Sequence, residues 1–128
     1  TTELDFPGEA AGILPVVGKW SGTSLPTIAI GQGVAVTPLQ MVTAFSTIAN
    51  EGRRPAPSLV LGTRDTMGVF QPSERAPDQQ VLEPETSRQL LAMLERVVES
   101  GTGTRGQVPG YRVAGKTGTA WKPRPEGG

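Results

Sequence analysis

Turn punctuation constrains this chain more than any other feature. Seventeen glycines and 12 prolines fill about a quarter of its 128 positions. They cluster between periodic apolar segments, so they read as turns separating short elements and not as a low-complexity tract. Two segments escape the interruptions long enough to keep a helical period. Thr37-Pro38 opens the first: Thr is a good N-cap, and proline in the first helical position gives up a donor that has no partner there anyway. Leu39, Met41, Val42, Ala44, Phe45, Ile48 and Ala49 cover most of its circumference and leave Gln40, Thr43 and Ser46 as a polar strip. This pattern predicts a helix near 38–50 that is buried on several sides, with Gly52 in the left-handed position after its last turn. Glu83-Pro84-Glu85 opens the second, with acids at the positive end of the helix dipole. Leu90, Leu91, Leu94, Val97 and Val98 form its apolar stripe with Met93 beside it, while Arg88, Gln89, Glu95, Arg96 and Glu99 take the other faces. The pattern predicts an amphipathic helix near 84–100, ending at Ser100-Gly101.

The remaining segments are shorter. Residues 1–26 read as an extended surface stretch anchored by Leu4, Phe6, Ile13, Leu14 and Trp20, with Asp5 and Glu9 as solvated loop carboxylates. In the apolar segment 27–36, Gly31-Gln32-Gly33 is a weak match to a dinucleotide loop, because Val36 stands where the third glycine is needed. A tight turn that lets the backbone pass close to a neighbour is the better reading. After a polar connector from Arg53 to Pro57, Ser58–Leu61 reads as a short strand. Residues 62–82 read as loop, in which Met67–Phe70 could pair, with Arg64, Asp65, Glu74, Arg75 and Asp78 on a solvated surface. A polar loop covers 101–106, and Gln107–Gly110 leads into Tyr111–Trp121. There Tyr111 and Val113 alternate with Arg112 in the two-residue period of a strand.

What the chain lacks narrows its chemistry. It contains neither Cys nor His, which removes cysteine- and histidine-based metal sites, thiol catalysis and every Ser-His-Asp arrangement; no metal or cofactor is expected. The formal net charge is zero with no basic run, so the electrostatic footprint of nucleic-acid binding is missing. No apolar run reaches the length that spans a bilayer. At 128 residues the chain is long enough for one domain that buries about two-thirds of its unfolded surface. A start without Met and a stop at Gly127-Gly128 directly after a strand are read as those of a fragment.

Two functional readings compete for the last strand. Gly110-Tyr-Arg-Val-Ala-Gly115-Lys116-Thr117 fits the phosphate-loop pattern letter for letter, but that loop needs a strand before it and a helix behind it. Here Arg105-Gly-Gln-Val-Pro precedes it and a run rich in proline and glycine comes after, so strand material lies where the loop should be. The other reading is an edge strand that presents Lys-Thr-Gly-Thr to a cleft. Leu4-Asp-Phe-Pro-Gly-Glu9, Gly31-Gln-Gly33, Val36-Thr-Pro-Leu-Gln40, Ile48-Ala-Asn-Glu-Gly52, Val97-Val98 with Gly101-Thr-Gly103, and Val113-Ala-Gly-Lys-Thr-Gly-Thr-Ala120 support it. In this order, and spread over nearly the whole chain, they resemble the C-terminal part of the transpeptidase domain of class B, division-type penicillin-binding proteins.

The resemblance implies an α/β (α+β) fold with an antiparallel sheet flanked by helices, of which residues 1–128 would form the C-terminal portion. It implies a serine acyltransferase that cross-links peptidoglycan stem peptides at D-Ala-D-Ala and is acylated by β-lactams. Carried over to this chain, Lys116 holds the substrate or β-lactam carboxylate, and the Thr117 and Thr119 hydroxyls bind it or polar groups near it. The Thr119 backbone N–H supplies half of an oxyanion hole, worth roughly 3–4 kcal/mol in comparable sites. Gly118 lets the strand lie close to the ligand, and Gln32 and Trp121 fall at the cleft rim. The resemblance further implies a parent anchored by an N-terminal helix on the outer face of the bacterial membrane, with a cell-wall glycosyltransferase of the division machinery as partner. Two of the family's three motifs are missing. None of Lys19, Lys116 and Lys122 has a serine three residues before it, and the one asparagine, Asn50, has Ile48 where Ser-x-Asn requires serine. The nucleophile therefore lies upstream, the chain alone is expected to be inactive and poorly stable, and the alternatives are a sensor or scaffold of the same fold or a role-free solvated Lys116.

Overall fold

The structure, a computed structural model, describes residues 2, 4 and 6–118. Its elements in chain order are α1 (Ser24–Ala29), α2 (Pro38–Ala49), β1 (Arg53–Arg54), β2 (Gly62–Arg64), β3 (Phe70–Pro72), β4 (Gln79–Gln80) and α3 (Pro84–Glu99), with single 3-10 turns at Val17–Lys19 and Thr104–Gly106. The strands form two antiparallel pairs, β1 with β4 and β2 with β3. Contacts divide the chain into two compact units, Thr1–Ala11 with Thr37–Leu91, and Gly12–Val36 with Ala92–Gly128.

In the first unit, α2 starts where the sequence predicts. The Gln40 backbone N–H donates to Thr37 Oγ1 at 3.1 Å, and the Thr37 N–H donates to Gln40 Oε1 at 2.9 Å, a closed capping box. Gln40 Nε2 also reaches the Ala11 carbonyl at 3.0 Å. The expected burial on several sides does not occur. Met41, Val42 and Phe45 are 45%, 61% and 38% exposed, and Thr47 is the helix's buried residue. Its apolar circumference is larger than the described residues cover. Gly52 does adopt the left-handed conformation (φ 82), and an added Cβ there would run into the Leu82 carbonyl. The Gly52 carbonyl in turn accepts from the Val81 and Leu82 amides at 2.9 and 3.1 Å, which starts the β1–β4 pairing.

Segment 58–82 departs from expectation. No strand forms at Ser58–Leu61; β2 begins at Gly62, and β3 starts at Phe70, the last residue of the Met67–Phe70 run expected to pair. The shift stems from Asp65, whose Oδ1 accepts the Met67 and Val69 amides at 2.9 Å each and folds 65–69 into the turn between the strands. Register then sets Arg64 opposite Phe70, with the guanidinium 5.8 Å from the ring centroid. Gly62 has room only for hydrogen on its α-carbon, since a Cβ would collide with the Phe70 ring and the Gln71 carbonyl.

In the second unit, residues 12–36 are less extended than expected. Ile13 and Ala35 exchange two backbone bonds of 2.6 and 2.9 Å, and Trp20 Nε1 donates to the Pro15 carbonyl at 2.9 Å. The backbone bridge does the anchoring, because Ile13 and Leu14 are 67% and 68% exposed. Helix α1 was not legible in the sequence. Its Pro26 sits in the first turn, where a missing N–H breaks no helical bond. Gly31 and Gly33 both have positive φ (86 and 76), so Gly31-Gln32-Gly33 is the expected tight turn, but nothing lies within 4 Å of a Cβ at Gly31. The glycine there serves conformation and not close passage. Val98, on α3, is the one buried apolar side chain among the described residues, a smaller core than the chain length allows.

Candidate active site

The C-terminal half of α3 positions the segment that carries Lys116. Leu90, Leu91, Leu94 and Val97 are half-buried and Val98 is 5% exposed, whereas Met93, Arg96 and Glu99 face solvent. The chain returns over this stripe. Gln107 Nε2 donates to the Val98 and Glu99 carbonyls at 3.0 Å each, satisfying acceptors that the helix end leaves free. The Gly115 amide donates to the Leu94 carbonyl at 3.1 Å, and a Cβ placed on Gly115 would lie 3.8 Å from Val98 Cγ2. Between them Arg112 Nη2 bonds both carboxylate oxygens of Glu95, at 2.7 and 2.8 Å. Glu95 is only 17% exposed and Arg112 82%, so the carboxylate is fixed and the arginine lies over it. The hydrogen bond to Glu95, reinforced by its charge, raises the Arg112 pKa above its ordinary value, so the guanidinium stays charged.

The strand expected near 110–121 does not form over 110–118; residues 119–128 lie outside the described residues. A strand needs a ladder, and the described residues offer this segment one backbone bond to a helix instead. The phosphate-loop alternative finds no support in its flanks, since the 3-10 turn Thr104–Gly106 precedes Gly110 where a strand would be required.

Lys116, Thr117 and Gly118 are exposed and consecutive at the end of this tether. Lys116 Nζ donates to the Thr117 carbonyl at 2.8 Å. Thr117 Oγ1 lies 2.8 Å from Thr102 Oγ1. Nothing stands within 4 Å of a Cβ placed on Gly118. Thr119 and Trp121 lie outside the described residues. Gln32 is half-buried in its turn with its amide bonded to the Thr27 carbonyl at 3.0 Å, and no hydrogen bond joins it to Lys116–Gly118 among the described residues. A cavity of about 420 Å³ beside the segment is lined by Glu95, Val98, Gln107, Tyr111 and Arg112 but not by Lys116. Lys116 and Thr117 thus stand on a wall, where an ammonium beside a hydroxyl can hold a carboxylate. Among the described residues, the hydroxyls of Thr102 and Thr117 bond each other and no carboxylate or amine. Sequence reasoning placed Glu95 on a solvent face and missed Gln107 and Thr102 as partners. The opposite charge of Arg112 on the adjoining segment was the available hint for Glu95.

A sequence with this Lys-Thr-Gly wall and mixed helix and antiparallel-strand content has relatives throughout one family. The chain belongs to the penicillin binding protein transpeptidase domain family, which matches residues 1–128. It is 40% identical to the penicillin-binding protein PbpB of Mycolicibacterium smegmatis over 131 aligned residues, covering 97% of this chain and 20% of that protein. It is 32% identical to the peptidoglycan D,D-transpeptidase FtsI of Escherichia coli, covering 98% of this chain and 20% of the other. Among solved structures it matches penicillin binding protein 3 of Mycobacterium tuberculosis, complexed with ampicillin. The TM-score is 0.86 at 37% identity, with coverage of 98% of this chain and 29% of that one. The chain therefore spans about a fifth of the length of the curated relatives it matches.

Proposed function

We propose that the chain supplies the Lys-Thr-Gly wall of a serine D,D-transpeptidase that cross-links peptidoglycan stem peptides, and that β-lactams acylate the same enzyme. The observation that carries this reading is the family match over residues 1–128 in a chain whose Lys116-Thr117-Gly118 stands exposed on a wall tethered to α3. In the reaction, a serine supplied from outside this sequence attacks the carbonyl between the two D-alanines. The oxyanion that forms is held in part by the Thr119 N–H. The terminal D-alanine leaves with a proton, and the acyl group passes to the amine of a neighbouring stem, which regenerates the serine. Lys116 and the hydroxyls of Thr117 and Thr119 hold the terminal carboxylate until the D-alanine that carries it leaves, which orients the carbonyl for attack by the serine. Gln32 and Trp121 complete the cleft rim. The site operates on the outer face of the bacterial membrane, in a class B enzyme of the division type that works beside a glycosyltransferase.

Fluorescent penicillin tests the assignment. The full-length protein containing this chain takes up covalent label, and the chain alone, which lacks Ser-x-x-Lys and Ser-x-Asn, takes up none. A labelled isolated chain contradicts the upstream nucleophile, and a folded full-length protein that resists labelling identifies a scaffold of the same fold. Lys116→Ala in the full-length protein removes a charge-assisted contact, and acylation is expected to slow by about ten- to a hundredfold.

A further inference from the structure

We propose that Thr102 is a positioning residue for this site: its hydroxyl orients the Thr117 hydroxyl toward the substrate carboxylate. The inference rests on the reading of Lys116 and Thr117 as the carboxylate-holding pair. The two Oγ1 atoms are 2.8 Å apart, across 15 residues of sequence. Either could donate to the other in the free protein. A carboxylate removes that choice. It only accepts, so Thr117 must give it the hydroxyl proton, and the Thr117 oxygen is then left as an acceptor for the proton of Thr102. The chain of donors runs Thr102 to Thr117 to carboxylate, and each bond in such a chain strengthens the next.

The backbone around Thr102 is built to hold it there. The Gly103 amide donates to the Val97 carbonyl at 2.9 Å, and the Gly115 amide donates to the Leu94 carbonyl at 3.1 Å. Leu94 and Val97 are three residues apart on α3, hence on one helix face. Loop 101–103 and the Lys116 segment are therefore referenced to the same face, and the hydroxyl pair closes the bracket. On either side of Thr102 the backbone runs close to Val97. A Cβ on Gly101 would stand 2.9 Å from Val97 Cα, and one on Gly103 would stand 3.1 Å from the Val97 carbonyl oxygen.

The test uses the full-length protein with benzylpenicillin and its methyl ester, which lacks the carboxylate charge. Thr102→Val is expected to slow acylation by the acid about three- to tenfold and to leave the ester rate unchanged. Thr102→Ser restores the rate, and Thr102→Val adds nothing in a Thr117→Val background. Thr102→Ala repeats the measurement if valine is not accommodated in the loop, with the unfolding midpoint followed for each variant. Equal slowing of acid and ester, or a wild-type rate in Thr102→Val while Thr117→Val is slow, overturns the positioning role and leaves the carboxylate reading standing. A Thr117→Val protein as fast as wild type overturns both.

Discussion

Helices α2 and α3 begin alike and end differently. Each has proline in its first position, and each is uninterrupted by glycine or proline after that. Helix α2 is apolar around most of its circumference, yet Met41, Val42 and Phe45 remain exposed. Helix α3 has a narrower apolar stripe bordered by charged side chains, yet it carries the one buried apolar side chain among the described residues, Val98. The difference lies in the path of the chain behind each helix. Behind α3 the chain turns at Gly101–Gly103 and comes back across the stripe, where Gln107, Arg112 and Gly115 bond to it. Behind α2 the chain leaves through Gly52 into a two-residue strand. Within this chain, composition sets how much apolar surface each helix offers, and the path after it decides how much of that surface the described residues cover. The cover on α3 is also the segment that ends in Lys116, so packing and the placement of Lys116 are one event there.

If cover decides stability in this way, equal truncations on the two helices have unequal consequences. Val98→Ala removes two methyl groups from a packed position and is expected to destabilise by about 2 kcal/mol. Val42→Ala, at a residue 61% exposed, is expected to stay within about 0.5 kcal/mol. Urea unfolding of both variants of this chain measures the pair, and equal losses would break the comparison. A second variant sharpens it from the other side. With little burial to hold it, α2 leans on its capping box, and Thr37→Ala leaves the Gln40 amide without its acceptor. The expected cost is about 1 kcal/mol, read as lost helical ellipticity and a lower urea midpoint. A Thr37→Ala chain that unfolds with wild-type α2 content would show that α2 is supported by packing after all.

How much of this was legible depended on whether the cause was local. Both long helices could be read because proline at N1, the Thr37 cap and the spacing of Leu90, Leu94 and Val98 act within a few residues. Gly52 could be read for the same reason. The β2–β3 pair could not be placed, because the Asp65 side chain, treated as solvated surface, makes the turn that fixes its register. Helix α1 was hidden by Pro26, which reads as a breaker unless its place in the first turn is known. The strand at 110–121 was predicted from alternation, but alternation gives only an extended backbone; over 110–118 the described partner is the Leu94 carbonyl of a helix and not a second strand. At the site, the motif pointed to Lys116, Thr117 and Gly118. The tether of Glu95, Gln107 and Thr102 joins residues about 8 to 17 positions apart along the chain, a range at which sequence spacing carries no information about contact.

The smallest expected effect lies at Glu9, which by sequence alone reads as a solvated loop carboxylate. Glu9 Oε1 accepts the Thr2 hydroxyl at 2.6 Å and the Thr2 amide as well. The Thr2 side chain first, and then its backbone amide, hold the Glu9 pKa below its ordinary value of 4.5. Both bonds favour the ionised form. A carboxylate whose folded pKa lies below its unfolded value contributes stability that is fully present above the unfolded pKa. That contribution fades as the pH falls through the folded one. The stability difference between wild type and Glu9→Gln should therefore be constant at neutral pH and shrink on acidification below 4.5. Thr2→Val, which removes the hydroxyl, should flatten that pH dependence more than it lowers stability at neutral pH. A difference between wild type and Glu9→Gln that persists unchanged into acid would show that the bonds at Thr2 are made equally well by the neutral side chain. Residues 2 and 9 would then be joined by shape and not by charge.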